Sequence, residues 1–201
     1  MTRRYPEIAF GDGVKAVQEE NGSRVFGRRL EAMEWDDRVL RDRERKHIGN
    51  LDHFYMATVN EDGWPYLQFR GGPKGFLKVL GPNTLAFADF RGNMQYISTG
   101  NVRDDDHVAL FLLDQAERKR LKIYARVEIR DASDALTHIL MDPDYDAVVE
   151  RAYVFHVEAF DWNCPQHITA RFSVEELREM APEALAELLD QNPALPVAAC
   201  P

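Results

Sequence analysis

The sequence predicts a mainly β, α+β chain whose strands close into a barrel. Three observations carry this reading. From residue 51 onward the apolar period shortens to two, the segments so marked are short, and hairpin signals recur between them. Short strands joined as a meander suit a barrel, which also removes exposed sheet edges. At 201 residues, 45% hydrophobic and 29% charged, the chain is long enough for a single domain with a full core.

In chain order, residues 1–22 are polar and turn-rich, end at Asn21-Gly22, and predict a loosely attached arm. A helix is expected from about Gly27 to Lys46, with Leu30, Met33, Trp35 and Val39 on one side. Its other side mixes both charges, with Asp42 and Lys46 four apart, which reads as a solvated face more readily than as a partner-binding one. Strands are expected over 54–59, 64–70, 76–80, 84–88, 107–113, 120–130 and 152–160, rich in Phe, Tyr, Val and Leu. Asp62-Gly63 and Gly81-Pro82-Asn83 mark hairpins. Asp131–Arg151 predicts two short helices parted at Asp142-Pro143, because a proline disfavours helix in the residue before it. Ser173-Val174-Glu175-Glu176 has the form of a capping box opening a helix to about Met180. Pro182 would start another turn or helix through Asp190, followed by a fraying tail, NPALPVAACP. The expected organisation is one domain over 1–201: arm and helix to residue 47, barrel over 48–172, then C-terminal helices and tail.

A net charge of −9 argues against a general nucleic-acid or acidic-membrane binder, since phosphate backbones reward basic surfaces. One anionic ligand held by a few local arginines remains compatible with it. The longest uncharged apolar run, VALFLL at 108–113, is far short of the roughly 20 residues that span a bilayer. The N-terminus has no apolar core of signal-peptide length, and Cys164 and Cys200 make no disulfide framework, so a cytoplasmic setting is expected.

Several segments carry residues suited to chemistry. In the strand holding Gln68, Phe69 and Arg70, positions 68 and 70 share a side. An arginine there offers a planar fork of donors to a phosphate or a carbonyl-rich ring; a salt-bridged arginine at a barrel rim is the plain alternative. The following Gly71-Gly72-Pro73-Lys74-Gly75 lacks the spacing of a phosphate-wrapping loop. It reads as a wide turn, or as bare backbone that lets a flat ring approach. Next, Ala88-Asp89 ends a strand, and Arg91, Gly92, Asn93 and Gln95 form a corner that opens a helix. Asn93 suits an N-cap, and free amides with a positive dipole end suit an anion. Lys119-Arg120-Leu121-Lys122 is a basic strand start, which by itself reads as an exposed edge that discourages sheet pairing. In the segment 161–172, Trp162 and Arg171 flank a turn that holds Cys164 and His167. A C-x-x-H pair supplies only two zinc ligands, and no oxyanion hole accompanies it as a nucleophile pair.

Taken in this order, the segments resemble the pyridoxamine 5'-phosphate oxidase-like family of FMN-binding split β-barrels, over residues from about 48 to 172. The resemblance implies a split barrel with an N-terminal helix and C-terminal helices, and a homodimer holding FMN in a cleft between two barrels. Cofactor contacts are then expected from Gln68, Phe69, Arg70, Ala88, Asp89, Arg91, Gly92, Asn93 and Gln95. Lys122, Trp162 and Arg171 would join them, in part from the second subunit. An indole beside the flavin would give apolar cover, and Arg171 could stabilise negative charge on the reduced ring. Three departures stand out. The family's strand arginine corresponds to Gln68, with Arg70 two residues later. Its Ser-Arg-Lys corner is replaced by Gly92-Asn93-Met94. Its substrate-holding Arg-Leu-His falls near His167-Ile168-Thr169. The last puts vitamin B6 oxidation in doubt and leaves Asp89 and His167 as the acid–base candidates. The expected function is an FMN-dependent oxidoreductase of unknown small-molecule substrate and electron donor. A non-catalytic FMN carrier or sensor is the alternative, and a barrel holding haem or a deazaflavin a third.

Overall fold

The computed structural model describes residues 3–183 and 186. They form two compact units. The first is residues 3–114 with 119–164; the second is residues 115–118 with the described residues from 165 onward.

The first unit is built on a seven-stranded antiparallel sheet: β1 (His53–Val59), β2 (Pro65–Gly71), β3 (Lys78–Val79), β4 (Thr84–Phe90), β5 (His107–Asp114), β6 (Lys119–Asp131) and β7 (Val149–Asn163). Their order across the sheet is β2-β1-β5-β6-β7-β4-β3. The period-two pattern is realised directly. β1 buries Phe54, Met56 and Thr58, and β6 buries Leu121, Ile123, Ala125 and Val127. β4 departs from alternation and is buried throughout residues 85–89. Helix α6 (Ala135–Leu140) covers its outer side, where Ala86, Ala88, Ala152 and Val154 pack with Leu140.

Contacts across the interior close the sheet. Phe54 of β1 meets Phe87 of β4 edge-on at 5.4 Å and Phe155 of β7 at 6.3 Å, although β1 is neighbour to neither strand. Arg70, on the terminal strand β2, reaches Asp89 of β4 at 2.6 Å. The right-handed twist of strands brings the two ends of a sheet together in this way.

The N-terminal region differs from expectation. In place of one helix over 27–46 the chain forms α3 (Arg24–Glu31) and α4 (Asp42–Gly49). The break lies where Asp37 and Leu40 turn into the protein, 1% and 2% exposed. Asp37 accepts the N–H groups of Arg4 and Tyr5 at 2.9 Å each and pairs with Arg3; Leu40 N–H donates to Pro82 O. A continuous helix cannot make these contacts, and tertiary anchoring outweighs the helical pattern. The arm is likewise not loose: it holds α1 (Arg4–Ala9) and α2 (Asp12–Glu20), and Arg3 and Tyr5 are buried. Asp37→Ala leaves the Arg4 and Tyr5 amides without partners, at a cost of about 1–3 kcal/mol. It should release the first two helices to limited proteolysis while the barrel resists.

Between β6 and β7 stands one helix rather than two. Asp134 caps α6 by accepting Leu136 N–H at 2.8 Å, and turns follow to the early start of β7. The expected Gly92-Asn93 helix start also moves: α5 spans Ile97–Asp104. In the second unit, α7 (Val174–Met180) opens on the predicted capping box: Ser173 Oγ accepts Glu176 N–H and Glu176 Oε2 accepts Ser173 N–H. The helix expected from Pro182 to Asp190 lies outside the described residues except at 182, 183 and 186, and the tail with Cys200 lies wholly outside them. Among the described residues no helix is long and apolar enough to cross a membrane.

Candidate functional site

At one mouth of the barrel, the ends of β2 and β4 and the start of β1 line a cleft of about 540 Å³. Small-molecule sites have volumes of this order. Its walls include Gln68, Phe69 and Arg70, the bare backbone of Gly71-Gly72, Asp89, Phe90, Arg91 and Gly92, and on the far side Tyr145. Gln68 and Arg70 stand opposite Met56 and Phe54 of β1, so both side chains lie on the inner face of β2. Phe69 points outward and is 58% exposed.

Arg70 donates from Nη1 to Asp89 Oδ1 at 2.6 Å, and its guanidinium lies over the Tyr153 ring at 5.1 Å. Asp89 is also paired with its cross-strand neighbour Arg151, at 3.4 Å. Arg151 continues to Glu150 at 2.7 Å, and Glu150 to Arg91 at 2.8 Å. The result is an alternating chain of five charges from an exposed corner into the barrel mouth. Three guanidiniums face two carboxylates, a formal surplus of one positive charge. Burial pushes the Asp89 carboxyl up, against the pull of Arg70 and Arg151. The Arg91 hydrogen bond holds Glu150 below its ordinary range. Arg70 Nε is buried without a hydrogen-bond partner, whereas Arg151 Nε faces Asp89 Oδ2, so Arg70 keeps one donor unused.

One glycine of the lip has a structural reason: a Cβ at Gly72 would come within 2.8 Å of the buried Phe76, whereas one at Gly71 would meet only the far end of the exposed Phe69 ring. The corner beyond β4 is held by local turns. Asn93 Oδ1 accepts Gln95 N–H at 3.1 Å, and Met94 and Tyr96 take left-handed conformations before α5 begins. Asn93 therefore caps a turn and not a helix, because the side chain meets an amide two residues on. The helix is fastened elsewhere, by Ser98 Oγ donating to Gln68 Oε1 at 2.7 Å.

The structure thus brings Gln68, Phe69, Arg70, Asp89, Arg91 and Gly92 to one cleft. Asn93 and Gln95 sit exposed in the corner beside it. The Ala88 side chain packs in the cluster beneath α6. Lys122 stands on the outer face with its Nζ 5.6 Å from the Tyr5 ring. Trp162 is engaged by α4: its Nε1 donates to Glu44 at 2.7 Å, Arg43 lies 4.1 Å over its ring, and His47 meets it edge-on. Arg171 and His167 are exposed residues of the second unit, His167 with φ 63°.

Sequence reasoning missed Asp52, His53, Glu150 and Arg151. His53 was legible in principle, since extending the first hairpin by one residue places it opposite Gly71. Arg151 was not, because its role depends on the β4–β7 register, which no local signal encodes.

A profile of the pyridoxamine 5'-phosphate oxidase family matches residues 40–171, 132 of the 201 residues. No curated protein sequence matches the chain. Among solved structures, an FMN-binding protein from Syntrophomonas wolfei subsp. wolfei is 14% identical over 75% of this chain and 97% of its own, with a TM-score of 0.51. A Lactobacillus delbrueckii protein named for pyridoxamine 5'-phosphate oxidase is 21% identical over 62% of this chain and 94% of its own, with a TM-score of 0.48. A Clostridium acetobutylicum protein related to general stress protein 26 is 14% identical over 67% and 94%, with a TM-score of 0.45. The curled antiparallel sheet is the split barrel that the sequence led us to expect, and the profile covers about two thirds of the chain. The chain belongs to the pyridoxamine 5'-phosphate oxidase family.

Proposed function

We propose that this protein is an FMN-binding oxidoreductase acting on a small molecule other than pyridoxamine phosphate. The observation that carries the proposal is the cleft at the barrel mouth. It combines the guanidiniums of Arg70 and Arg91, an unpartnered buried Arg70 Nε, aromatic walls and a bare Gly71-Gly72 lip. These fit a flat ring bearing an anionic tail. Arg70 and Arg91 would take the anion, Gln68 and the glycine backbone the ring edge, and Phe69 and Tyr145 its flanks. When bound, FMN supplies hydride acceptance; the chain supplies binding, orientation and exclusion of water.

One feature supports a homodimer: Trp64, just before β2, and Leu67 and Phe69 on it are apolar and 73%, 64% and 58% exposed, with Phe69 at the cleft. A second copy on these side chains would cover them and could bring its own Lys122, Trp162 or Arg171 to the cofactor. A second reading, an FMN carrier or sensor without its own reaction, is favoured by His167-Ile168-Thr169 standing where the family holds its substrate.

The first test is an absorption spectrum of freshly purified protein with the released chromophore identified by mass. A flavin spectrum and the mass of FMN are expected; a colourless protein that fails to bind added FMN overturns the proposal. Turnover of a reduced nicotinamide or another donor by pure holoprotein then separates the enzyme from the carrier. Arg91→Ala removes an exposed guanidinium that the fold does not bury. It should weaken FMN binding about 10- to 100-fold, the loss of one charge-assisted hydrogen bond worth about 1.5–3 kcal/mol. Fluorescence titration of the apoprotein reads this, and unchanged affinity removes Arg91 from the site.

A further inference from the structure

The cleft contains a histidine that the charge network does not use. His53, the first residue of β1, lines it beside Phe69 and Arg70. Its Nδ1 lies 2.6 Å from Asp52 Oδ1, while its Nε2 has no hydrogen-bond partner among the described residues. The ring plane is fixed by neighbours: it stacks on Phe69 at 5.4 Å and 17°, and meets Tyr55 edge-on at 6.0 Å. The backbone is fixed as well. Gly72 N–H donates to Asp52 O at 2.9 Å, and His53 pairs with Gly71 across the ladder. The pair is therefore tied to the glycine lip of the same cleft.

This is the arrangement needed for proton transfer. A carboxylate that accepts the Nδ1 proton selects the tautomer with a bare Nε2, and it stabilises the imidazolium formed when Nε2 takes a proton. The other cleft carboxylate, Asp89, is unsuited to that task because it is held between Arg70 and Arg151.

We propose that Asp52 and His53 are the acid–base pair of this cleft. His53 Nε2 exchanges a proton with a flat ligand carrying an acidic O–H or N–H, and Asp52 acts as the positioning residue. In the forward step the ligand's O–H bond breaks and an Nε2–H bond forms. Neutral imidazole becomes imidazolium beside Asp52, and the ligand becomes an anion facing Arg70 and Arg91. The assignment rests on the proposed reading of the cleft as a ligand site. It adds a cleft-lining residue to the acid–base candidates.

The test uses 4-nitrophenol, whose anion alone is yellow, together with the imidazole nitrogen spectrum of the uniformly labelled protein. The wild type is expected to show the Nδ1-protonated tautomer of His53, and to bind the dye as its anion at a pH where the free dye is mostly neutral. His53→Gln should lose at least tenfold of the anion signal while still binding dye, although Arg70, Arg91 and Asp89 are unchanged. Asp52→Asn should mix the tautomers and give an intermediate signal. An Nε2-protonated tautomer in the wild type, dye bound only as the neutral phenol, no binding of dye, or a full anion signal in His53→Gln would each overturn the proposal. Added FMN separates the two readings. Dye bound as anion in a protein that never takes FMN sinks the flavin function and keeps the pair, whereas FMN binding with His53 spectroscopically silent to dye sinks only the pair.

Discussion

Asp89→Ala is expected to destabilise the first unit by about 3 kcal/mol at neutral pH, the lower end of the range for breaking a buried ion pair. Asp89 is 7% exposed in its side chain, and Arg70 is 11% exposed. Removal strands the Arg70 guanidinium in the barrel mouth and takes away one of the two carboxylate contacts of Arg151. Asp89→Asn should cost less, because an amide oxygen still accepts from Arg70 even though the buried guanidinium loses its counter-charge. The double replacement Arg70→Met with Asp89→Leu should also recover much of the loss. Urea unfolding of the three variants checks this ordering. A pH dependence accompanies it. Burial raises the Asp89 carboxyl above its unfolded value, so the folded state holds this proton more tightly, and the stability linked to that proton is fully present below the ordinary carboxylate range and is lost as pH rises through the raised value. The stability of wild type relative to Asp89→Asn should therefore fall as pH rises through that window. A difference that grows instead would show that the two guanidiniums outweigh burial.

Phe54→Ala should cost about 3–5 kcal/mol, the usual range for removing a buried aromatic side chain. Phe54 is 1% exposed and touches three other rings, Phe76, Phe87 and Phe155, drawn from the loop before β3 and from β4 and β7. Its ring fills the interior between β1 and the β4–β7 pair, with which β1 shares no ladder, so the cavity left cannot be closed by sliding one strand on its neighbour. Calorimetry should show the loss as a lowered midpoint with cooperativity retained. Phe69→Ala, on the outer face, is the contrast: it should leave stability nearly unchanged and act on ligand binding instead.

The strands were readable from residue patterns because alternation is a local property. Phe54, Met56 and Thr58 point inward whichever strand lies beside them, and the turn residues Asp62-Gly63 and Gly81-Pro82-Asn83 bound the hairpins independently of the rest. The α7 capping box was readable for the same reason: Ser173 and Glu176 satisfy amides three residues apart. Where the pattern was ambiguous, tertiary contacts decided. Trp35 and Val39 suited a helix, yet the buried carboxylate of Asp37 has partners only in a chain bent toward Arg3, Arg4 and Tyr5. Asn93 suited a helix cap, yet its side chain closed a turn on Gln95 and the helix began at Ile97.

The same division runs through the candidate site. Residue order together with the family resemblance marked Gln68, Arg70, Asp89 and Arg91. What they do was decided by closure of the sheet, which sets Arg70 against Asp89, and by the β4–β7 register, which sets Asp89 against Arg151. Trp162 went to Glu44 and α4, and His53 came to the cleft, for the same reason. Local chemistry determined which segments are strands, turns and caps. Only the closed barrel decided which charges meet, since ion pairing depends on distances between residues that the chain keeps far apart in sequence.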